Sequence, residues 1–398
     1  MESTPLPAVV SVTAGSLAAV LGELPDPRRA ASVVYPLPAV LALAVAALLA
    51  GQVSVLAIAQ WAARQRSAQL DAFGFPPGRT PCQTTLHRLF RHLDERLLAA
   101  LQQAVFASAT PPTEVGAEPT PATLQGVAID GKCQRGRLRR AGGDYAKHAL
   151  CAMDHTSGLV LAHAPLGARP HLEPTELDAV PELIARVAWR SRVLTADGLF
   201  CQRKVCRAIC EAGSDYLLPV GGNQPRLQAF VEARFTDLQT LRDGQIARTE
   251  ESGHGRRRDC RTLSVVPISM GHRDWPGLQQ VYRLVRTWDA QGRAHHSVQY
   301  GITSLSPDRA SAAQVLALRR GHWGIENALH RQKDVLFRED ASQVHLGSGP
   351  AVLSLLRDAA INLLHLDGHR DLAARTRALS QFPHQALALV CHPIPTRA

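Results

Sequence analysis

The sequence predicts an α/β fold with a helical N-terminal segment and a mostly β insertion. Three observations carry this reading. Residues 37–106 hold apolar runs at helical spacing, and residues 126–220 alternate short apolar strands with helices. Residues 223–306 return to short strands separated by Gly, Asp and Pro turns.

A chain of 398 residues is longer than one hydrophobic core usually serves, so two or three units are expected. The first, residues 1–108, reads as helices over AVLALAVAALLA (39–50), VLAIAQWAARQ (55–65) and 84–106. The first run is uninterrupted, yet its 12 residues fall short of the roughly 20 a membrane span needs. A buried helix is expected there, and no membrane partner. Gly74, Pro76, Pro77, Gly78 and Pro81 break the chain before the third helix. In it Leu86, Leu89, Phe90, Leu93 and Leu97 form one apolar stripe, with His87, Arg88 and Arg91 outside it. A turn before a basic amphipathic helix suits a helix-turn-helix DNA reader with Arg88 and Arg91 on phosphate; a packed helix with a solvated basic face is the equal alternative. Residues 1–24 lack the basic start and apolar core of a secretion signal.

Residues 109–122, with four prolines and no apolar period, read as a linker. The next unit, 123–222, holds strands GVAIDGK, HALCAMDH and GLVLAHAPLG, a helix over 176–189, the strand SRVLTADG, a helix over 200–213 and the strand DYLLPV. The β insertion, 223–306, follows with RTLSVVPI, VYRLVRTW and SVQYGITSL. Residues 307–370 return to helix, and 371–398 read as a C-terminal tail.

The formal charge is +10, almost all of it from arginine, since Lys132, Lys147, Lys204 and Lys333 are the only lysines. Guanidinium forks match phosphate oxygens, so nucleic acid is a natural partner; a GC-rich genome, which inflates Arg, Ala, Gly and Pro together, explains the composition equally. Eight cysteines without a CxxC pair read as reduced thiols of a cytoplasmic protein. Cys206 and Cys210 share a helix face near Cys201, but no histidine stands at zinc-ligand spacing, and helix packing is the better reading.

Asp130 and Asp197 each end an apolar strand and precede a glycine. Functional groups collect at such strand ends in α/β sheets, and two carboxylates from neighbouring strands suit a hard divalent ion. Alone, Asp-Gly is a common turn. In ALRRGHWGIENALHRQKDVLF, residues Arg319, His322, Glu326, His330 and Lys333 are spaced 3, 4, 4 and 3 apart, one stripe of a helix. An acid in a basic row suits a metal flanked by phosphates. A solvated face of paired charges is the alternative.

AIDGK, TADGLFCQRKVCRAICEAGSDYLLPVGGNQPRL and RRGHWGIENALHRQKDVLFREDASQV resemble, in order, the three catalytic segments of the ISAs-one family of insertion-sequence transposases, which includes the H-repeat-associated proteins. With LPDPRRA near the start and RDAAINLLHLDGHRDLAARTRAL near the end, the resemblance covers about residues 20–392. It implies a ribonuclease H-like catalytic core carrying a β insertion, with Asp130, Asp197 and Glu326 as the catalytic, metal-holding DDE triad. It also implies two Mg²⁺ ions, with Mn²⁺ as substitute, and metal-dependent cleavage at terminal inverted repeats followed by transfer of the 3′-OH into target DNA. Double-stranded DNA is the implied partner, with a homodimer to bring two ends together and a nucleoid-associated, cytoplasmic location. Arg319, His322, His330, Lys333, Lys132, Arg88 and Arg91 are the expected phosphate contacts. Arg331 stands where the family usually has Trp, and GHGRRRDCR lacks the family's usual Glu. A degenerate relative that binds DNA without cutting it, and a metal-dependent nuclease on the same fold, are the alternatives.

Overall fold

The computed structural model describes residues 15–109, 124–134, 148–166, 175–236, 244–253, 256–268, 274–290 and 293–395. The expected linker lies outside them except for Ala109. Nine strands form one sheet in the order β3-β2-β1-β4-β5-β9-β8-β7-β6. The first five are β1 (Gln125–Cys133), β2 (His148–Asp154), β3 (Val160–Pro165), β4 (Arg192–Thr195) and β5 (Asp215–Val220). Near-continuous apolar runs such as Val127 to Ile129 and Tyr216 to Leu218 are buried, as strands covered on both faces must be. β1, β4 and β5 are parallel; β2 runs antiparallel beside β1, and β3, antiparallel to β2, returns to the direction of β1.

That register sets the site. Ala128 pairs with Thr195, so Asp130 and Asp197 each lie two residues beyond the same rung of adjacent parallel strands; Asp197 follows the end of β4, whereas Asp130, expected at a strand end, lies within β1, which runs on to Cys133 beside β2. Two residues is one full strand period, so both point to the same face as that rung.

The insertion opens with a helix, Pro225–Arg234, and then forms a meander: β6 (Gln245–Gly253), β7 (Arg256–Pro267), β8 (Gln280–Ala290) and β9 (Arg293–Thr303). It extends the same sheet, because β9 pairs with β5 from Leu217↔Thr303 to Val220↔Tyr300.

The N-terminal helices are α1 (Leu17–Val20), α2 (Leu37–Leu49), α3 (Val55–Ala62), α4 (Ser67–Ala72), α5 (Gln83–Phe90) and α6 (Glu95–Ala107). The helix expected over 84–106 is thus two. Asp94 accepts from the backbone N–H of Arg96 and Leu97 and starts α6 anew, because an Asp cap satisfies the free donors of a helix start. α7 (Glu176–Arg186), α8 (Arg203–Glu211) and α9 (Pro225–Arg234) follow, then α10 (Ala312–Gly321), α11 (Gly349–Leu366), α12 (Leu372–Gln381) and α13 (Pro383–Cys391). Residues 371–398, expected as a tail, form these last two helices, with Leu379, Leu387 and Val390 buried.

α2 is buried nearly throughout and packs on α11 and α13; α6 and α11 cover β3. One apolar core runs from Leu17 to Ile394. Edge strand β3 is tied to this layer by Asn362, whose side chain accepts from Val160 N at 2.8 Å and donates to Val160 O at 3.1 Å. No helix of the described residues is long and apolar enough to cross a membrane.

Candidate active site

α10 begins at a capping box of Ser311 and Gln314, and beyond Gly321 the chain continues through two π-type turns, Glu326–His330 and Gln332–Leu336. Such wide turns are rare and lie frequently at functional sites. They also change the helix phase relative to the unbroken α-helix that the stripe assumes. Glu326 is exposed while Arg319, His322, His330 and Lys333 are buried.

Asp130 and Glu326 meet around His330. His330 Nδ1 lies 3.4 Å from Asp130 Oδ2 and 3.8 Å from Glu326 Oε2, and one ligand atom of each residue lies within 4.8 Å of the others. Burial first, and then the nearby charges of Glu326 and Asp197, push the Asp130 carboxyl up to about 7, although the Gly131 N–H donates to it at 2.9 Å. Burial, aided by Lys333 and Lys132, pushes the His330 imidazole down to about 3, so the ring is neutral.

Asp197 is held by His322, whose Nε2 lies 3.3 Å from Oδ1; this hydrogen bond keeps the carboxyl below its usual range. His322 Nδ1 lies 3.4 Å from Thr195 Oγ1, which in turn meets His155 Nε2 at 2.9 Å. A side chain at Gly126 or Gly321 would overlap the His155 ring, so both glycines make room for this chain of contacts. A side chain at Gly131 would likewise strike the Glu176 carboxylate. His155, Thr195 and Glu176 carried no motif signal, because their roles arise only from the register of β1, β4 and α7.

Four of the expected phosphate contacts, Lys333, Lys132, His322 and His330, are engaged within the protein instead, His330 with Asp130 and Glu326. Lys333 is fully buried, with Nζ 2.6 Å from Asp358 Oδ1 and 3.0 Å from Ser354 Oγ. Its charge is neutralised inside the core and is not available to DNA. Lys132 pairs with Asp334 and lies 4.0 Å from Asp340, tying β1 to the second π-type turn. Buried His322 serves Asp197 rather than an external phosphate. Arg88 and Arg91 are exposed on and just beyond α5. Arg319 donates from Nε to Gln299 at 2.9 Å, while its buried Nη1 has no hydrogen-bond partner among the described residues. It lines a cleft of about 740 Å³ with Arg261, Arg286, Arg320 and the exposed Trp323.

A second possible ligand group, Cys151, His163 and Asp358, is fully buried, and there Asp358 already takes Lys333 and His163.

Residues 121–363 match the family described as the transposase DDE domain, and residues 18–105 match the DDE_Tnp_1-associated family. The protein named "Putative transposase YncI" of Escherichia coli O157:H7 is 27% identical over 361 residues, 88% of this chain and 87% of that one. The "H repeat-associated putative transposase YhhI" of Escherichia coli strain K12 is 29% identical over 251 residues, 61% of this chain and 64% of that one. A piggyBac transposase in a synaptic complex with hairpin DNA aligns with 94% of this chain and 77% of its own at a TM-score of 0.40 and 10% identity, too slight a likeness to bear an argument. With the transposase DDE domain matching residues 121–363, well over half of its length, the chain belongs to the transposase DDE domain family.

Proposed function

We propose that this protein cuts DNA at the terminal inverted repeats of an insertion sequence and joins the freed 3′-OH to target DNA, with Asp130, Asp197 and Glu326 as its catalytic triad. The order β3-β2-β1-β4-β5, with β2 alone of these five antiparallel to the others, supports a ribonuclease H-like core, and β6 to β9 are its insertion. The carrying observation is convergence: residues nearly 200 positions apart, Asp130 and Glu326, reach one point. The donor set fits a divalent cation, because oxygen ligands from several carboxylates suit Mg²⁺ or Mn²⁺. Asp130 fits as well: its carboxyl, held near 7 by burial and two acidic neighbours, is a group that a cation would relieve.

Bound divalent ions supply Lewis acidity toward an attacking water or 3′-OH and a leaving oxygen. The protein's part is positioning. Asp130 presents oxygens from within β1 and Asp197 from just beyond β4, and Glu326 closes the site from the π-type turn. His322 fixes Asp197, and Thr195 and His155 fix His322. Arg319, Arg261, Arg286 and Arg320 line the cleft as a path for the DNA backbone, while Arg88 and Arg91 grip duplex outside it. Residues 1–108 are the DNA-end-binding part, and two copies of the chain hold two ends.

The test is to incubate the protein with labelled DNA bearing the element's own ends, in Mg²⁺ or Mn²⁺, with and without chelator. Nicking at the repeat boundary that stops with chelator is expected. Binding to those ends without nicking in either metal would make the non-cutting relative the better reading.

A further inference from the structure

His330 is the polar group nearest the Asp130 and Glu326 carboxylates that the DDE triad leaves without a role. Its ring is 5% exposed, and its Nε2 has no hydrogen-bond partner among the described residues. Its Nδ1 faces the two acids at 3.4 and 3.8 Å. Metal–ligand bonds of about 2.1 Å separate adjacent ligands by roughly 3.0 Å in octahedral and 3.5 Å in tetrahedral geometry. The two distances from Nδ1 lie at and just beyond this range, and the three ligand atoms all lie within 4.8 Å of one another, so small side-chain movements would bring them around one cation. A histidine serving only as packing would not need this aim, and one serving only as a hydrogen-bond donor would satisfy one carboxylate and leave the other facing it.

We propose that His330 is a third protein ligand, through Nδ1, to the divalent cation held by Asp130 and Glu326. The inference rests on the metal-site reading above and adds a nitrogen to an otherwise all-oxygen set. Asp130 reaches the cation from β1, while Glu326 and His330 clasp it from both ends of the first π-type turn. A neutral imidazole contributes no charge, so the site keeps two negative charges from these residues for one divalent ion. Imidazole also shifts preference away from Mg²⁺, which favours oxygen and water, toward Mn²⁺ and later metals.

The experiment is pulsed electron paramagnetic resonance on the full-length protein with one equivalent of Mn²⁺, in natural abundance and labelled with ¹⁵N-histidine. A nitrogen modulation that changes with the label is expected. It should vanish in His330→Gln and persist in His322→Gln, which removes the other histidine at the triad. His330→Gln should also weaken Mn²⁺ binding at least about tenfold. Should the His330 variant not fold, loss or persistence of the coupling in His322→Gln makes the same distinction. Mn²⁺ that binds, is lost in Asp130→Asn, and shows no nitrogen coupling would overturn the inference and leave the metal site standing. Coupling lost only in His322→Gln would overturn it too. Binding indifferent to Asp130 would overturn the metal-site reading itself.

Discussion

Replacing Asp130 by Asn should make the metal-free protein more stable at pH 8 while abolishing its chemistry. The Asp130 carboxyl is held near 7 against an ordinary value of 3.8, chiefly by burial and then by the charges of Glu326 and Asp197. The fold thus favours the neutral acid: its contribution is full below pH 3.8 and is lost as pH rises through about 7. Each unit corresponds to about 1.4 kcal/mol, so about three units set a ceiling near 4 kcal/mol. The side chain is 17% exposed, and the acids share their repulsion, so about 2 kcal/mol is the expected gain. Asn keeps the oxygen that accepts from Gly131 N–H and offers an amide donor to Glu326 in place of a charge. The assay is urea unfolding in chelator at pH 8 and pH 4. Stabilisation at pH 8 that disappears at pH 4 is expected; equal loss of stability at both would refute the buried-acid argument. The same proton explains a second expectation: Mn²⁺ affinity measured by calorimetry should fall as pH drops below about 7, and an affinity flat from pH 8 to 5.5 would contradict it.

Lys333→Met should destabilise the fold by about 2–4 kcal/mol, because it leaves buried Asp358 with only His163 beside it and removes the cation nearest Glu339, and unfolding in urea measures the loss. A Lys333→Met protein of unchanged stability but shallower salt dependence of DNA binding would restore the phosphate role expected from sequence. Arg88→Ala and Arg91→Ala should each lower the salt slope of end-DNA binding by about one unit with little change in thermal stability, and an unchanged slope would return α5 to an ordinary solvated face.

The strands other than β6 were legible because buried strands carry their periods locally, whereas β6, the polar edge strand QIARTEESG, has no apolar run to mark it. By the same local period Asp197 was legible as a strand-end acid and Asp130 as an acid of β1, although β1 runs on past it. What lay beyond reach was long-range. Nothing in VYRLVRTW or SVQYGITSL states that β9 pairs with β5 and continues the core sheet, since an antiparallel edge leaves no local mark. The stripe through Glu326 assumed an unbroken α-helix, whereas the chain makes two π-type turns there and Lys333 stands in a core ion pair rather than at the surface. Asp94 was a visible cap residue, but the apolar stripe running across it suggested one helix.

The central claim is that Glu326 completes a metal-dependent cutting site without contributing to DNA affinity. Glu326→Gln keeps the side chain's length and hydrogen-bonding reach but removes its charge, so the triad loses a carboxylate while the arginine contacts to phosphate remain. Cleavage and binding should be measured side by side on labelled element-end DNA in Mg²⁺ and in Mn²⁺. The account predicts that the variant binds those ends within about twofold of wild type, with the same salt slope, and cuts neither in Mg²⁺ nor in Mn²⁺. A Glu326→Gln protein that cuts as fast as wild type would contradict it and move the catalytic acid elsewhere.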